Sequence, residues 1–271
     1  VELLIMGTAA AEGWPAVWCR CDHCQEARRR GGKDIRTRAG AVVDGVLKID
    51  FGPDTYMQAL QQGVDLSRLE HLIVTHTHQD HFAPDDLALR GAVYAHGLAH
   101  DLTVWGGDRA LAMARRVLAE GRTTGVNLRR VRPFEPFAAG EFRVTPLLAD
   151  HNPLETCYIY LIEREGRRLL WGHDTDLFPE ETWAYLGAQP PLHAVVLDAT
   201  NGPLTFRGGH MGIGELVDVR RRMLAEGMAT AETRFVATHF SHNGGLLHAD
   251  LEARLGPEGF LVAYDGMRLC I

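Results

Sequence analysis

Leu72-Ile73-Val74-Thr75-His76-Thr77-His78-Gln79-Asp80-His81 is the stretch on which the fold turns, because an apolar run opens directly into three imidazoles and a carboxylate. Leu72-Ile73-Val74 reads as a buried strand of a largely parallel sheet, and the polar cluster follows at its carboxyl end, where open α/β sheets put their sites. Period two sends His76 and His78 to one side, while the turn after Gln79 swings Asp80 and His81 toward a neighbouring position. That geometry suits two metal ions better than one. Imidazole is the commonest transition-metal ligand, and four donors in six residues are hard to explain otherwise.

Working outward, the chain has 271 residues, 46% hydrophobic and 23% charged, which is ordinary for a globular protein with a sizeable core. Lys and Arg number 28 against 35 Asp and Glu, a formal charge of −7 that offers no global attraction to nucleic acid or an anionic membrane. No apolar run reaches 18 residues and no secretory leader is evident in the sequence as given, so a cytoplasmic protein with no membrane partner is expected. Five cysteines is an odd count, and Cys19-x-Cys21-x-x-Cys24 has the compactness of a metal knuckle rather than of a disulfide framework.

Other strands behave like the first. Ala41 to Ile49 forms a hairpin about Asp44-Gly45, closed by Asp50-Phe51-Gly52. A helix over Thr55 to Gln62, capped by Asp54, leads back to the histidine strand. A short helix from Asp85, a strand near Thr103 to Trp105 and a helix from Asp108 to Glu120 come next. Phe142 to Leu148 then runs into Asp150-His151. A second hairpin, Cys157 to Ile162 and Arg168 to Trp171, delivers His173-Asp174; Ala194 to Leu197 ends at Asp198. A helix from Ile213 to Glu226 precedes Phe235-Val236-Ala237, which ends in Thr238-His239-Phe240-Ser241-His242. Cys157 and Cys270 read as core residues, and Arg28-Arg29-Arg30 as a solvated helix end. Strands ending repeatedly in His or Asp describe a site built by loops along one edge of a rigid sheet layer. With two similar β-rich halves flanked by helices and no linker between them, the expectation is one α/β domain over 1–271, a four-layer αββα sandwich.

The run His76-Thr77-His78-Gln79-Asp80-His81, followed in order by His151, Asp174 and His239, resembles the metal-binding signature of the metallo-β-lactamase superfamily, and the likeness spans nearly the whole chain. The resemblance implies that His76, His78 and His151 hold one divalent ion, that Asp80, His81 and His239 hold a second, and that Asp174 bridges them. Zinc or manganese is expected there. Two cations about 3.5–4 Å apart acidify a shared water into a nucleophile near neutral pH, so the implied reaction is hydrolysis. Gly7-Thr8 through Trp14-Pro15, the cysteine knuckle, Asp174-Thr175, the loop reaching His210, and Thr238 to His242 with Tyr264-Asp265-Gly266-Met267 are similar to one branch in particular. That branch is the phosphodiesterase of the carbon–phosphorus lyase pathway of phosphonate use, which acts on cyclic ribose phosphates. It implies a structural zinc on Cys19, Cys21, Cys24 and His242.

His210 lies in Arg207-Gly208-Gly209-His210-Met211-Gly212, a glycine-rich loop before a helix that can bring N–H groups and an imidazole to a phosphate. By resemblance it assists the leaving oxygen, and with Asp80 it is expected to carry the chemistry. His173, beside Asp174, is the histidine most apt to support a ligand from behind. The segments 85–130 and 204–209 depart from the branch, and loops of that kind shape the substrate pocket. The expected partner is a small phosphodiester, with oligomeric state open to a homodimer. A tRNA 3′-processing endonuclease is disfavoured by the charge and the lack of a basic arm. A redox di-iron homologue would replace His78 with an acid, and a biosynthetic or binding homologue would lose ligands.

Overall fold

The computed structural model describes residues 1–206 and 208–271, so Arg207 of the glycine-rich loop lies outside the described residues. The first sheet contains β1 (Glu2–Gly7), β2 (Gly40–Val43), β3 (Leu47–Ile49), β4 (His71–Ile73), β5 (Leu102–Gly106) and β6 (Val126–Arg130), with β14 (Met267–Cys270) beyond β1. The second contains β7 (Phe137–Ala139), β8 (Phe142–Leu148), β9 (Tyr158–Arg164), β10 (Arg167–Gly172), β11 (Leu192–Asp198), β12 (Ala229–Thr238) and β13 (Phe260–Val262), adjacent in that order. Each sheet is antiparallel through its first four strands, from β14 to β3 and from β7 to β10, and parallel through the rest. The two halves therefore share one plan, as the repeated pattern of the sequence suggests.

Strand alternation sorts the core into three layers. Leu3, Ile5, Ile49 and Ile73 face Tyr160, Trp171, Ala194 and Val196 between the sheets. Leu4, Met6, Leu72 and Val104 turn outward to pack on Ala59 of α2 (Thr55–Gln62) and on Ala110 and Ala114 of α3 (Asp108–Glu120). Leu170, Val195, Leu197 and Phe235 pack outward on α4 (Glu180–Gly187), α5 (Ile213–Ala225) and α6 (His248–Leu255). This is the expected four-layer αββα sandwich. Burying a Leu, Ile or Phe side chain stabilises by roughly 1.5–3 kcal/mol, so three such layers provide a stiff support for the loops at the strand ends.

Two contacts fasten the sheets to one another beneath those loops. The Tyr160 hydroxyl donates to the carbonyl of Val74 at 2.7 Å, and the Tyr158 N–H donates to the carbonyl of Thr75 at 3.0 Å. Both join β9 to the chain leaving β4, so the histidine loop is placed by both sheets.

Several local expectations are corrected. The short helix expected from Asp85 is a 3₁₀ helix and begins one residue earlier, over Pro84–Arg90. Asp54 does not cap α2 with its side chain; its carboxylate instead takes the Arg38 N–H and guanidinium, both at 2.9 Å. Cys157 is buried as expected, but Cys270 is exposed, because β14 is an edge strand that turns Leu269 inward instead. Arg28, Arg29 and Arg30 are exposed at a helix end as expected; Arg29 and Arg30 pair with Glu26, while Arg28 also donates to the carbonyls of Cys19 and Cys24 and so braces the knuckle. Among the described residues, no helix is long and apolar enough to cross a membrane.

Candidate metal centre

The loops after β3, β4, β8, β10, β11 and β12 meet at one edge of the sandwich and bring together all seven residues of the expected ligand set. His76 Nε2 and His151 Nε2 each lie 3.0 Å from His78 Nδ1. Beside this trio, His81 Nε2 lies 2.9 Å from both Asp80 Oδ2 and Asp174 Oδ2, and 3.3 Å from His239 Nε2. Asp174 faces both groups, its Oδ1 being 3.3 Å from His239 Nε2 and 3.9 Å from His151 Nε2.

Each of these five imidazoles is held from behind by its other ring nitrogen. His76 Nδ1 meets Thr75 Oγ1 at 3.0 Å, His81 Nδ1 meets Asp50 Oδ2 at 2.9 Å and His239 Nδ1 meets Thr200 Oγ1 at 2.8 Å. His151 Nδ1 donates to the carbonyl of Gly209 at 2.8 Å, and His78 Nε2 lies 3.2 Å from the Asn152 amide. For His76, His81, His151 and His239 the outward partner is an oxygen that accepts the ring N–H, which fixes ring orientation and leaves the inward nitrogen as a lone-pair donor, the support a metal-binding histidine needs; at His78 the outward partner is the Asn152 amide nitrogen, which fixes the ring without setting that tautomer. Nitrogens bound at 2.0–2.1 Å on a tetrahedral ion sit roughly 3.3 Å apart, so facing nitrogens at 3.0–3.3 Å fit a shared cation. Side by side with nothing between them, such lone pairs repel.

The electrostatics divide the cluster. Burial disfavours charge on both His76 and His81, but their neighbours differ. His76 stays well below the ordinary histidine range among other imidazoles, while Asp174 and Asp80 lift His81 well above it. Asp174 is held far below the carboxylate range despite its burial, by His239, His81 and His173. The backbone is also committed here: Asp50, Asp174 and His239 adopt left-handed φ of 57°, 53° and 59°. Such conformations cost on the order of 1–3 kcal/mol each and are retained where a site demands them.

Two carboxylates that the sequence reading left at strand ends without a role prove central. Asp50, fully buried, accepts from the Thr75 N–H and hydroxyl as well as from His81. Asp198, also fully buried, accepts from the N–H groups of Asp174 and Thr200 and faces His210 Nδ1 at 2.7 Å. No motif marks either one; only the recurrence of acids after apolar runs hints at them. His210 is a quarter exposed, with its ring 4.8 Å from that of His151 and 5.5 Å from that of His239. Burial opposes its charge, but Asp198 and Asp174 prevail and raise it to about 9. His173 Nδ1 bonds to Asp174 Oδ2, so it backs that carboxylate as its position suggests.

Gly209 needs to be glycine. Its φ is +81°, and a Cβ there would stand 2.9 Å from His151 Nδ1. The Gly209 carbonyl, which accepts from His151 Nδ1, can approach that ring only because no side chain intervenes.

Some distance along the same edge, Cys19, Cys21, Cys24 and His242 gather with their donor atoms within 4.8 Å of one another. His242 Nδ1 is 3.8 Å from Cys19 Sγ and 3.6 Å from Cys21 Sγ. Tetrahedral zinc with Zn–S near 2.3 Å and Zn–N near 2.0–2.1 Å sets sulfur and nitrogen roughly 3.6 Å apart, so this donor set fits. The Cys24 backbone N–H lowers the Cys21 thiol to about 6, whereas burial raises Cys24 to about 12. Phe240 joins the two sites: its N–H donates to Thr8 and its carbonyl accepts from Ala10, which ties the strand end carrying His239 and His242 to the N-terminal loop.

The sequence profile of the beta-lactamase superfamily domain matches residues 46–244. Among solved structures, the chain is similar to a new diphosphatase from the PhnP family, at 22% identity and TM-score 0.79 over 100% of this chain and 97% of that one. It is similar to Zn(2+)-bound PqqB from Methylobacterium extorquens at 21% identity and TM-score 0.75, with both chains fully covered. Human tRNase Z, short form, follows at 16% identity and TM-score 0.71 over 100% of this chain and 99% of that one. At these identities the likeness is one of fold. None of the curated protein sequences matches.

Proposed function

The chain belongs to the beta-lactamase superfamily, and from that premise we propose that it is a metal-dependent phosphodiesterase acting on small diesters, cyclic ribose or nucleotide phosphates among them. One observation carries the reading: five imidazoles and two carboxylates converge, with four of the imidazoles anchored from behind on an oxygen so that the free nitrogen faces the cluster. His76, His78 and His151 would hold one divalent ion, Asp80, His81 and His239 a second, with Asp174 between them. Zinc and manganese both suit this donor set. When bound, the ion pair supplies Lewis acidity that polarises a phosphoryl oxygen and acidifies a water near neutral pH. Cys19, Cys21, Cys24 and His242 would hold a structural zinc.

The remaining chemistry falls to the chain's own side chains. Asp198 accepts from Nδ1 of His210 and sets that ring at the rim of the cluster, which leaves Nε2 to carry the proton that an alkoxide needs as its bond to phosphorus breaks. Asp50 and Thr75 hold the loop backbone that carries His76 and His81. Glu155 accepts the Thr77 N–H at 3.1 Å and its hydroxyl at 2.7 Å, pinning the residue between His76 and His78.

The test is to strip the protein, reload it with Zn²⁺ or Mn²⁺, and assay bis-p-nitrophenyl phosphate and a 2′,3′-cyclic nucleotide. Metal-dependent turnover of these diesters is expected. Hydrolysis of a β-lactam or thioester with neither diester touched would refute the assignment.

A further inference from the structure

A chain of net charge −7 hides one strongly cationic face. Residues 109–132 hold seven arginines and one acid, a formal +6, which leaves −13 for the rest of the chain. This segment comprises most of α3 and the edge strand β6, and all seven arginines are exposed. Arg130 pairs with Asp108 at 2.8 Å and Arg132 lies 3.8 Å from Glu135. Among the described residues, Arg109, Arg115, Arg116, Arg122 and Arg129 meet no carboxylate within 4 Å. Elsewhere Arg38, Arg143, Arg164, Arg222 and Arg268 each pair with an acid, and the exposed arginines that do not, such as Arg20, Arg68, Arg167, Arg234 and Arg254, are spread along the chain and not gathered in one segment. Arg129 projects from the opposite side of β6, so Arg109, Arg115, Arg116 and Arg122 are the four uncompensated charges on and just beyond α3; they repel one another, and without an anionic partner they destabilise the surface they occupy.

The strip also has a direction. Arg130 ends β6 opposite Gly106, on the edge of the first sheet from which the chain leaves β4 for the histidine loop. A cleft of about 260 Å³ there is lined by Arg109 and Arg130 on one side and by Glu155, the residue that holds Thr77, on the other. From that end α3 runs back for 13 residues, roughly 20 Å at 1.5 Å per residue.

We propose that the arginine face of α3 and β6 is a docking surface for single-stranded RNA, gripped by its phosphate backbone. Guanidinium forks match phosphate oxygens, and a strip of separated cations follows a chain of regularly spaced anions. α3 and β6 expose none of the chain's large hydrophobic residues, and the cleft at their end adds only Leu154. A membrane-lying helix needs an apolar side to bury in lipid, and a protein interface needs an apolar centre. Without stacking aromatics the surface grips the backbone and not the bases, so binding tolerates any sequence.

The inference stands apart from the hydrolase reading, because capture is measured without turnover. The whole protein is titrated into a fluorescein-labelled 20-nucleotide poly(U) strand and followed by anisotropy from 50 to 200 mM salt, with the RNA checked intact on a gel afterwards. Each phosphate contact contributes about 0.7 to the slope of log K against log salt for single strands, so the four contacts of Arg109, Arg115, Arg116 and Arg122 give a slope of roughly −2.8. The triple variant R115E/R116E/R122E should bind at least tenfold more weakly at 50 mM salt, with a slope shallower by about 2. All three side chains are exposed, so an unchanged thermal midpoint is expected to show that the variant is folded. Failure to bind poly(U) at 50 mM salt overturns the proposal. So does binding that survives the triple reversal, or capture of anionic phospholipid vesicles or an acidic peptide but not RNA.

Discussion

Asp198→Asn isolates the positioning of the proton donor from the binding of metal. In the structure Asp198 Oδ2 serves two partners, the N–H of Asp174 and Nδ1 of His210, while Oδ1 serves the N–H of Thr200. An amide has one oxygen for these three donors. If that oxygen stays with Asp174 and His210, the new NH₂ group confronts the Thr200 N–H, and a buried donor is left unpaired at a cost of about 1–3 kcal/mol. Replacing a charged hydrogen bond by a neutral one also removes about 1 kcal/mol or more from the protonated form of His210, and 1.36 kcal/mol corresponds to one pH unit. His210, raised to about 9 by the carboxylates around it, acts through its protonated form, so the rate should fall as pH rises through its pKa. In the variant this alkaline limb should move down by roughly one to two pH units. The assay is kcat/KM against pH on a 2′,3′-cyclic nucleotide, beside metal analysis. Full metal content with a displaced limb is the expected result. An alkaline limb at the same pH in variant and wild type would refute the coupling of Asp198 to His210.

Three further perturbations probe other parts of the site. His210→Ala should keep its metals and lose ~10²–10⁴-fold on the cyclic nucleotide but far less on a nitrophenyl ester, whose leaving group departs unaided; equal losses would make His210 a charge-stabilising group instead. Cys21→Ala should release the zinc of the knuckle and lower the thermal midpoint while the histidine cluster still loads, so unchanged zinc stoichiometry would dispose of that site. Gly209→Ala forces a side chain to φ +81° and a methyl to 2.9 Å from His151 Nδ1; about 1–3 kcal/mol of stability and some affinity for the ion on His151 should be lost, as read by melting and by chelator competition.

The convergence of the cluster was legible because its residues follow apolar runs, and a sheet that is stiff along its strands leaves little choice about where the next residue goes. His76 to His81, His151, Asp174 and His239 meet as that reasoning implies. Asp50 and Asp198 were visible only as acids after strands, since a lone carboxylate carries no spacing from which to infer its partner. β6, Val-Asn-Leu-Arg-Arg, escaped notice because an edge strand buries little and needs few apolar residues. β7 and β13 are three residues each, too short to establish a period. Net charge says nothing of distribution: it averages over the surface, and the arginines of α3 and β6 are outweighed by acids on other faces.

The donors of the histidine cluster are divided between the sheets, His76, His78, Asp80 and His81 arriving from the first, and His151, Asp174 and His239 from the second. On the proposed assignment, each ion is therefore a rivet through both halves, and the halves cannot part while it is bound. Uptake of the ion and docking of the sheets become a single equilibrium. A ligand that binds only the folded chain at 100 times its Kd adds about 2.7 kcal/mol, a sizeable share of a typical domain's margin. A cell short of the ion would then lose the protein itself to unfolding and proteolysis, so its abundance would track metal supply with no dedicated sensor.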